Sequence, residues 1–186
     1  PKYRVSFPCF FVPKAFGQGK PKYSVMMCIP KTADIGPLKA LMKQAVEEEW
    51  PDLATRPKRI VHPIKDGDTD EMQDGTIRKD KYPELAGHWL ISVSTTQKRA
   101  VVDMDVQPIL EESEIYAGCY AQSKVSAFTY KPGKLNPQSK TGVAFGLGNT
   151  QKLEEGDRLG GGGSKAEDDF GPAASSGTEA AADNNV

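Results

Sequence analysis

Residues 115–131 read IYAGCYAQSKVSAFTYK, and this stretch decides the fold because it alternates with the period of a β-strand. Successive side chains of a strand point to opposite faces of the sheet. One face therefore carries aromatic rings together with an amide and a lysine: Tyr116, Tyr120, Gln122, Lys124, Phe128 and Tyr130. The other face is small and mildly apolar, with Val125 near its centre. The pattern predicts a long strand with one aromatic, cationic side and one apolar side.

The aromatic side of this strand is suited to a single-stranded nucleic acid. Bases stack on aromatic rings, and phosphates are attracted to cations between those rings. A dry core would exclude Gln122 and Lys124 unless they were paired. Aromatic residues are also common in strands of every kind, so the alternative is that these rings are half-buried at the rim of a barrel. The stretch predicts a binding face and leaves open which rings stack and which line a barrel.

The remaining elements are mainly strands. Residues 3–12 and 22–29 alternate and are joined by a turn-rich connection, which predicts a hairpin. In the first of these strands the alternation places Val5, Phe7 and Phe11 in the core and Phe10 on the opposite side. Further strands are predicted over 89–95, 100–106 and 142–150, and the odd positions of the last one assign Val143, Phe145 and Leu147 to the core. Such a chain is most simply folded as a small closed or partly open barrel, which protects the sheet edges.

One helix and one long loop region separate the hairpin from the later strands. Residues 34–50 have apolar side chains at helical spacing, with Asp34 as the predicted N-cap and Pro51 as the terminator. Residues 51–87 are rich in Pro, Asp, Gly and Lys, which predicts loops with little regular structure.

Charge divides the chain into two parts. Residues 1–158 hold 23 Lys and Arg against 20 Asp and Glu, whereas residues 159–186 hold one Lys against five acids. The second part is dominated by Gly, Ala, Ser and acids, and such a segment cannot bury enough apolar surface to offset its ordering entropy. We therefore predict a folded domain over 1–158, which could bind a nucleic acid, and a disordered acidic tail over 159–186. A mildly basic body is compatible with a polyanionic ligand.

Metal, cofactor and membrane functions are not indicated. Three cysteines without a C-x-x-C pair, no signal peptide and no long apolar run predict a reduced, soluble, intracellular chain. Only two histidines are present, and neither has a cysteine at ligand spacing, which argues against zinc. We predict no metal site, no cofactor and no membrane contact.

Candidate catalytic motifs fail on their spacing. The acidic run from Asp66 to Asp74 opens like an EF-hand loop, but the sixth position is Glu71 where glycine is needed and the twelfth is Ile77 where glutamate is needed. The glycine run Gly160–Gly163 does not match a phosphate-binding loop, because no strand precedes it. The sequence predicts that the chain is not an enzyme. A divalent-dependent nuclease that uses the acidic run is a rival hypothesis.

Six segments, in this order, resemble one protein family. They are RVSFPCFFVPKAF (4–16), PKYSVMMCIPK (21–31), PIKDGD (63–68), IYAGCY (115–120), GVAFGLGNTQKLEEGDRLGGG (142–162) and AEDDF (166–170). Together they are similar to the single-stranded-DNA-binding proteins of tailed phages, a family formerly catalogued as a domain of unknown function. The resemblance spans about residues 4–170, and the ordered set is specific although each piece alone is not.

The resemblance implies a fold and a role. The expected fold is mainly β, an OB-fold-like five-stranded barrel with one helix between early strands and an acidic carboxyl-terminal tail. The expected function is sequence-tolerant protection and organisation of single-stranded DNA in phage DNA replication, recombination and repair, in the cytoplasm of the infected bacterial host. Members of the family often end soon after the acidic motif, whereas here 16 residues follow AEDDF.

The expected DNA-binding residues form three groups, which combine cations with rings. The amino-terminal hairpin supplies Arg4, Phe10, Lys14, Phe16, Lys20 and Lys22; the turn before residue 100 supplies Lys98 and Arg99; and the later strand supplies Tyr116, Tyr120, Lys124, Phe128, Tyr130 and Lys131. Phe10 has an alternative place in the core, and Tyr116 and Tyr120 have one in the barrel lining.

The acidic motif in the tail is expected to bind at two places, the DNA-binding surface of this protein and replication proteins. Glu167, Asp168, Asp169 and Phe170 offer negative charge and a ring, so we expect them to compete with DNA and to contact phage or host replication proteins once DNA is bound. Weaker duplex binding and a homodimer are further expectations. The rival functions are a structural or scaffold role in the phage particle and strand annealing in recombination.

Overall fold

The computed structural model describes residues 1–15, 19–132 and 140–159. Its elements in chain order are β1 (Tyr3–Lys14), β2 (Lys22–Pro30), α1 (Gly36–Glu49), β3 (Ile64–Asp66), α2 (Arg78–Lys81), β4 (His88–Thr95), β5 (Val101–Val102), β6 (Tyr120–Tyr130) and β7 (Gly142–Glu154). Short 3-10 turns cover Pro83–Leu85 and Glu112–Glu114. Strands thus dominate the described chain, as the sequence predicts.

Five long strands close into a ring. The sheet order is β3-β4-β2-β1-β6-β7-β5, and β4 also pairs with β7, which joins the two ends of the β4-β2-β1-β6-β7 series. Every pairing in the ring is antiparallel except β4 with β7, which is parallel and consists of Val93 opposite Phe145 and Ser94 opposite Gly146. The expected OB-fold-like five-stranded arrangement with one main helix between early strands is confirmed.

The core fills the inside of this ring. Its largest fully buried side chains come mainly from β1, β2, β4, β7 and α1, and include Tyr3, Met27, Leu38, Ile91 and Phe145. The hydroxyl of Tyr3 lies 2.5 Å from the Ser123 Oγ, and burial raises the pKa of Tyr3 to about 12. A buried hydroxyl requires such a partner, because an unsatisfied one would cost about 1–3 kcal/mol.

Helix α1 begins one residue later than the sequence predicts. Asp34 Oδ1 accepts a hydrogen bond of 2.7 Å from the Gly36 backbone N–H, and the residue at the cap position is Ile35, which has no side-chain oxygen. The helix ends at Glu49, and Pro51 lacks the backbone N–H that would extend it. The buried Leu38 and Ala45 face the ring. No helix among the described residues is long and apolar enough to cross a membrane.

Three later strands differ in length from the prediction, and one of them, β7, continues to Glu154, beyond the predicted end at residue 150. The strand expected over 100–106 is reduced to Val101–Val102, because the Asp103 carboxylate accepts hydrogen bonds from the backbone of Asp105 and Gln107 and so folds the chain into a turn. β6 begins at Tyr120 instead of Tyr116, since Gly118 has a φ of 116° and bends the backbone before it.

Strand β1 contains a bulge that the sequence periodicity does not predict. Ser6 pairs with Met26 and Cys9 with Ser24, so three steps along β1 match two steps along β2. The extra residue changes which side chains face inward. Phe7, with a φ of 46°, is 44% exposed, whereas Phe10 is 4% exposed and packs in the main core. The core assignment of Phe7 and the outward placement of Phe10 were therefore wrong.

Candidate nucleic-acid interface

A groove crosses the outer faces of β1, β2 and β4. It has a volume of about 510 Å³. Its floor consists of the outward residues of β2 and β4, its wall of apolar and aromatic side chains, and its rim of cations. These are Ser24, Met26, Ser92 and Ser94 on the floor, Phe7, Met72 and Tyr82 on the wall, and Lys20, Lys22 and Arg78 on the rim. We call this cavity the strand groove.

The aromatic wall exists because of the β1 bulge. Outward rotation of Phe7 brings its ring against Tyr82, with the centroids 5.3 Å apart and the planes at 87°. Edge-to-face contact of this kind holds each ring in place while leaving part of its face open. Pro8 follows Phe7, and a proline inside a strand is typical of a bulge because it cannot donate to the ladder. The Phe-Pro pair is the sequence signal that could have located this ring.

The rim of the strand groove carries unbalanced positive charge. Lys14 lies directly opposite Lys22 across the β1–β2 hairpin, and Lys20 is exposed in the connection between the strands. Like charges at opposed strand positions destabilise a sheet, and an anion bound between them removes that repulsion. Within the described residues these three lysines form no ion pair with an acid. The hairpin therefore offers its charge to a ligand.

A second cationic depression lies on β6 and β7. It has a volume of about 280 Å³ and is lined by Arg99 and Lys124, with Ser126, Gly148 and Asn149 between them. Beside it, the outward rings Phe128 and Tyr130 of β6 are 49% and 36% exposed. The alternation predicted for this strand is thus observed, with Val125 on the inner side packed against the core. Lys98 is exposed and does not line the depression.

A row of small residues connects the two cavities around the outside of the ring. Ser24 pairs with Ser94, Ser94 with Gly146, and Gly146 with Ser126. The first two line the strand groove, and Ser126 lines the β6–β7 depression. Because no long side chain rises from these four positions, the surface between the cavities is open to an extended ligand.

The other predicted residues of the binding face are engaged within the protein. The Arg4 guanidinium donates to the carbonyls of Gly118, at 3.2 Å, and Asp157, at 2.9 Å. The Tyr116 hydroxyl donates to Glu155 Oε2 at 2.6 Å, and this hydrogen bond raises the pKa of Tyr116. The Arg158 guanidinium lies 4.1 Å from the centre of the Tyr116 ring. These contacts hold the segment that follows β7.

Three predicted positions have other surroundings. Lys2 Nζ lies 5.1 Å from the centre of the half-buried Tyr120 ring. Lys131 forms an ion pair with Glu49 and lies 5.4 Å from the centre of the Trp50 ring, so its charge is directed toward α1. Phe10 is in the core, as described above. Phe16 and the tail residues Glu167, Asp168, Asp169 and Phe170 lie outside the described residues.

The acidic loop that resembles a calcium site is neutralised by the protein. Lys31 Nζ lies 2.5 Å from Asp66 Oδ1 and 2.5 Å from Asp68 Oδ2. Hydrogen bonds from this lysine hold the pKa of both carboxyls below their usual value. The two carboxylates serve as anchors for the loop.

The third carboxylate of the loop is held in the same manner. Burial by itself would raise the pKa of Asp70, but hydrogen bonds from Arg78, at 2.6 Å, and Lys65, at 2.9 Å, outweigh it and the pKa is lowered. The described part of the chain contains no group of three His, Cys, Asp or Glu residues arranged to hold a metal ion. Because Asp70 neutralises Arg78, the open charge of the strand groove comes from its lysines.

Sequence periodicity missed the residues that build the aromatic wall. Phe7 was assigned to the core, and Tyr82 lies in the region predicted as loop. The chain brings Tyr82 to β1 through the short helix α2, whose Lys81 Nζ lies 5.8 Å from the centre of its ring. Such a contact joins residues about 75 positions apart, and no local pattern predicts it.

Comparison with known proteins gives the family. The model of the family described as "Enterobacter phage Enc34, ssDNA-binding protein" matches residues 1–183. The chain belongs to this family. No curated protein matches the chain in sequence.

Solved structures share the fold. The single-stranded DNA-binding protein of bacteriophage Enc34 in complex with ssDNA superposes with a TM-score of 0.67 at 23% identity, covering 86% of each chain. The gp2.5 protein of bacteriophage T7, a single-stranded DNA binding protein, superposes with a TM-score of 0.58 at 15% identity, covering 97% of this chain and 96% of that one. At these identities the likeness shows the fold of the chain.

Proposed function

We propose that this protein binds single-stranded DNA without sequence preference, with the strand groove as its main site. The observation that carries the proposal is the pair of rings Phe7 and Tyr82 beside three lysines that have no acid partner among the described residues. Rings and cations in one groove are the two components that single-strand binding requires. Membership of the phage ssDNA-binding family supports the same ligand.

We propose that the strand continues from the groove to the β6–β7 depression. The row of small residues from Ser24 to Ser126 gives the path, and Arg99, Lys124 and Phe128 receive phosphate and base at its far end. In this assignment DNA contacts Lys20, Lys22, Arg99, Lys124 and Phe128. Arg4 and Tyr116 instead hold the segment after β7 in position.

Sequence tolerance follows from the lining of the strand groove. Among the described residues, it contains no Asn, Gln, Asp or Glu side chain, which are the groups that read adenine and cytosine edges. Paired bases in a duplex cannot present their faces to Phe7 and Tyr82, so duplex binding is weaker. Titration of the protein into labelled oligo-dT and a matched duplex tests the proposal, and equal affinity for the two would contradict it.

Single-strand affinity is expected to fall steeply with salt. Each phosphate neutralised on a single strand contributes a slope of about −0.7 in log K against log salt, so five contacts predict a loss of about a hundredfold between about 50 and 200 mM. Fluorescence anisotropy with oligo-dT measures the slope. Lys22→Gln is expected to reduce it by about 0.7, whereas Lys79→Gln, which lies outside both cavities, serves as the control. A slope near zero would exclude the cationic groove.

Removal of the tail is expected to tighten single-strand binding at low salt. The residues after Leu159 carry one Lys and five acids, so they lower the attraction of the basic body for a polyanion. A chain that ends at Leu159 should bind oligo-dT several times more tightly at low salt, and the gain should shrink as salt screens the charges. Equal affinity of the two chains at low salt would assign a solubilising role to the tail.

We place this activity in phage DNA replication, recombination and repair in the cytoplasm of the infected bacterium. In this proposal residues 1–158 bind DNA and the tail contacts phage or host replication proteins once DNA occupies the groove. The protein itself carries out no catalysis. Labelled DNA that is cleaved on incubation with Mg²⁺ or Mn²⁺ would support the nuclease alternative instead, and a chain that fails to bind oligo-dT would support a scaffold role.

A further inference from the structure

A pocket rich in amide side chains adjoins the β6–β7 depression. The two cavities share Lys124 and Asn149. The remaining described lining of the pocket comes from β6, β7 and two apolar residues, and comprises Gln122, Ser123, Thr150, Gln151, Pro1 and Val102. We call this cavity the amide pocket. Because the depression forms the far end of the proposed DNA path, a strand that reaches Lys124 also reaches the amide pocket.

The amide pocket differs from the strand groove in its chemistry. The described lining of the strand groove has no Asn or Gln side chain, whereas the amide pocket has Gln122, Asn149 and Gln151. An amide carries both a hydrogen-bond donor and an acceptor, which is typical of sites that read the edges of bases. The pocket volume of about 280 Å³ lies just below the range of about 300–1,000 Å³ in which drug-sized ligands bind, so it suits a single base.

The orientation of the Gln122 amide follows from backbone groups. The carbonyls of Asp103 and Met104 can only accept, and the Gln151 Nε2 donates to them at 3.1 and 3.2 Å. Gln151 therefore turns its Oε1 toward Gln122, whose Nε2 donates to it at 2.8 Å. The Gln122 Oε1 accepts no hydrogen bond from the described residues. The amide pocket thus presents one acceptor, which a fixed neighbour holds in place.

Two donors lie where the amide pocket meets the depression. The Ala100 backbone N–H can only donate, and it lies 3.2 Å from the Asn149 Oδ1, so the oxygen of this amide is occupied and its NH₂ group is the free end. Lys124 is exposed and forms no ion pair with any described residue. Both side chains are therefore available to acceptors of a ligand.

The donors and the acceptor follow one another along β6. Lys124 and Gln122 are successive outward residues of this strand, about 6.6 Å apart along it. Lys124 faces the two residues of β7 that lie between Leu147 and Thr150, and one of these is Asn149. From the depression into the amide pocket, a ligand therefore meets two donors and then one acceptor.

Guanine is the base whose edge complements this order. It presents two adjacent acceptors, N7 and O6, and when unpaired its N1–H donor follows directly after them. On the corresponding edge adenine and cytosine carry an amino donor and thymine carries a methyl group, so none of these bases has two adjacent acceptors there. A lysine that donates to N7 and O6 is also among the commonest specific contacts to guanine.

We propose that the amide pocket binds one unpaired guanine of the single strand. The N7 and O6 atoms of the base accept from Lys124 and Asn149, its N1–H donates to the Gln122 Oε1, and the half-buried Val102 offers apolar surface to its ring. The inference rests on the proposed DNA path and adds a base preference at a single position, while the strand groove accepts any base.

Four oligonucleotides of equal length test the proposal on the full chain. They are repeats of dT-dT-dG, repeats of dT-dT-dA, and two copies of the first in which 7-deazaguanine or hypoxanthine replaces guanine. Fluorescence anisotropy is expected to show at least about threefold tighter binding of the guanine repeat than of the adenine repeat. Hypoxanthine keeps N7, O6 and N1–H and should retain the gain, whereas 7-deazaguanine lacks N7 and should lose it. Equal affinity for the guanine and adenine repeats, or a gain that survives in 7-deazaguanine, would overturn the proposal.

Two variants assign the preference to the amide pocket. A chain with both Gln122→Leu and Asn149→Ala is expected to bind the guanine and adenine repeats equally, and a guanine preference that persists in it would refute the assignment. Lys22→Gln is the matched control, expected to bind both repeats more weakly and to keep the ratio of their affinities. If the wild type bound all repeats equally, the guanine pocket alone would be refuted, whereas failure to bind any strand would also refute the proposed function.

Discussion

Phe7→Ala is expected to weaken binding of oligo-dT about tenfold and to leave the free energy of unfolding nearly unchanged. The ring is 44% exposed on the wall of the strand groove, and a base stacked on an aromatic side chain contributes about 1–3 kcal/mol. Removal of a half-exposed ring leaves no buried cavity. Fluorescence anisotropy gives the affinity, and urea unfolding gives the stability.

Phe10→Ala provides the matched control on the same strand. Its ring is 4% exposed in the main core, so truncation is expected to cost about 3–5 kcal/mol of stability. The fraction that stays folded should bind DNA normally. Simple alternation along β1 predicts the reverse pair of results. If Phe7→Ala unfolded the protein while Phe10→Ala lost only DNA affinity, the results would contradict a bulge between Ser6 and Cys9.

Val125→Asp is expected to destabilise the fold by about 2 kcal/mol or more, because it introduces a carboxylate on the side of β6 that packs against the core. The neighbouring Ser126 points outward into the β6–β7 depression. Ser126→Asp is expected to change stability by no more than about 0.5 kcal/mol and to weaken oligo-dT binding several-fold by repelling phosphate. Thermal unfolding and anisotropy measure the two quantities.

The two variants of β6 together test the strand's two faces. If Ser126→Asp bound oligo-dT with normal affinity, the DNA path would not extend beyond the strand groove, and Arg99 and Lys124 would not contact DNA. Full stability in Val125→Asp would show that the inner face of β6 is open to water.

The faces of β6 could be predicted from sequence, whereas those of β1 could not, and the cause is the location of the irregularities. Between Ser123 and Val125 the β6–β7 register shifts, but three steps of β7 match two of β6, so the extra residue lies in β7 and the alternation of β6 is intact. In β1 the extra residue lies within the strand itself and interrupts the alternation, so that Phe7 is exposed while Cys9 and Phe10 are both buried. Periodicity therefore predicts the faces of a strand unless a bulge lies within that strand.

The cations of the candidate site could be predicted from the sequence, whereas its aromatic rings could not. Lys20 and Lys22 follow from the position of the hairpin, since a connection between strands is exposed. Tyr82 reaches Phe7 through tertiary contacts of a loop region, and Tyr116 is occupied by Glu155 at its hydroxyl and by Arg158 at its ring. Whether a ring in a strand is free or occupied depends on residues far away in sequence.

The parallel seam between β4 and β7 has a consequence for how the protein folds. Only two residue pairs join these strands, and about 50 residues separate them along the chain. Closing a loop of this length costs entropy before the contact is formed, so the antiparallel hairpins assemble first and the seam closes late. The β1–β6 junction of the ring also consists of only two residue pairs, Tyr3 with Ala121 and Arg4 with Tyr120, so the ring has two short junctions. Ser94 and Gly146 lie on the proposed DNA path. Single-stranded DNA bound across them is therefore expected to stabilise the pairing of β4 with β7 and with it the closed ring.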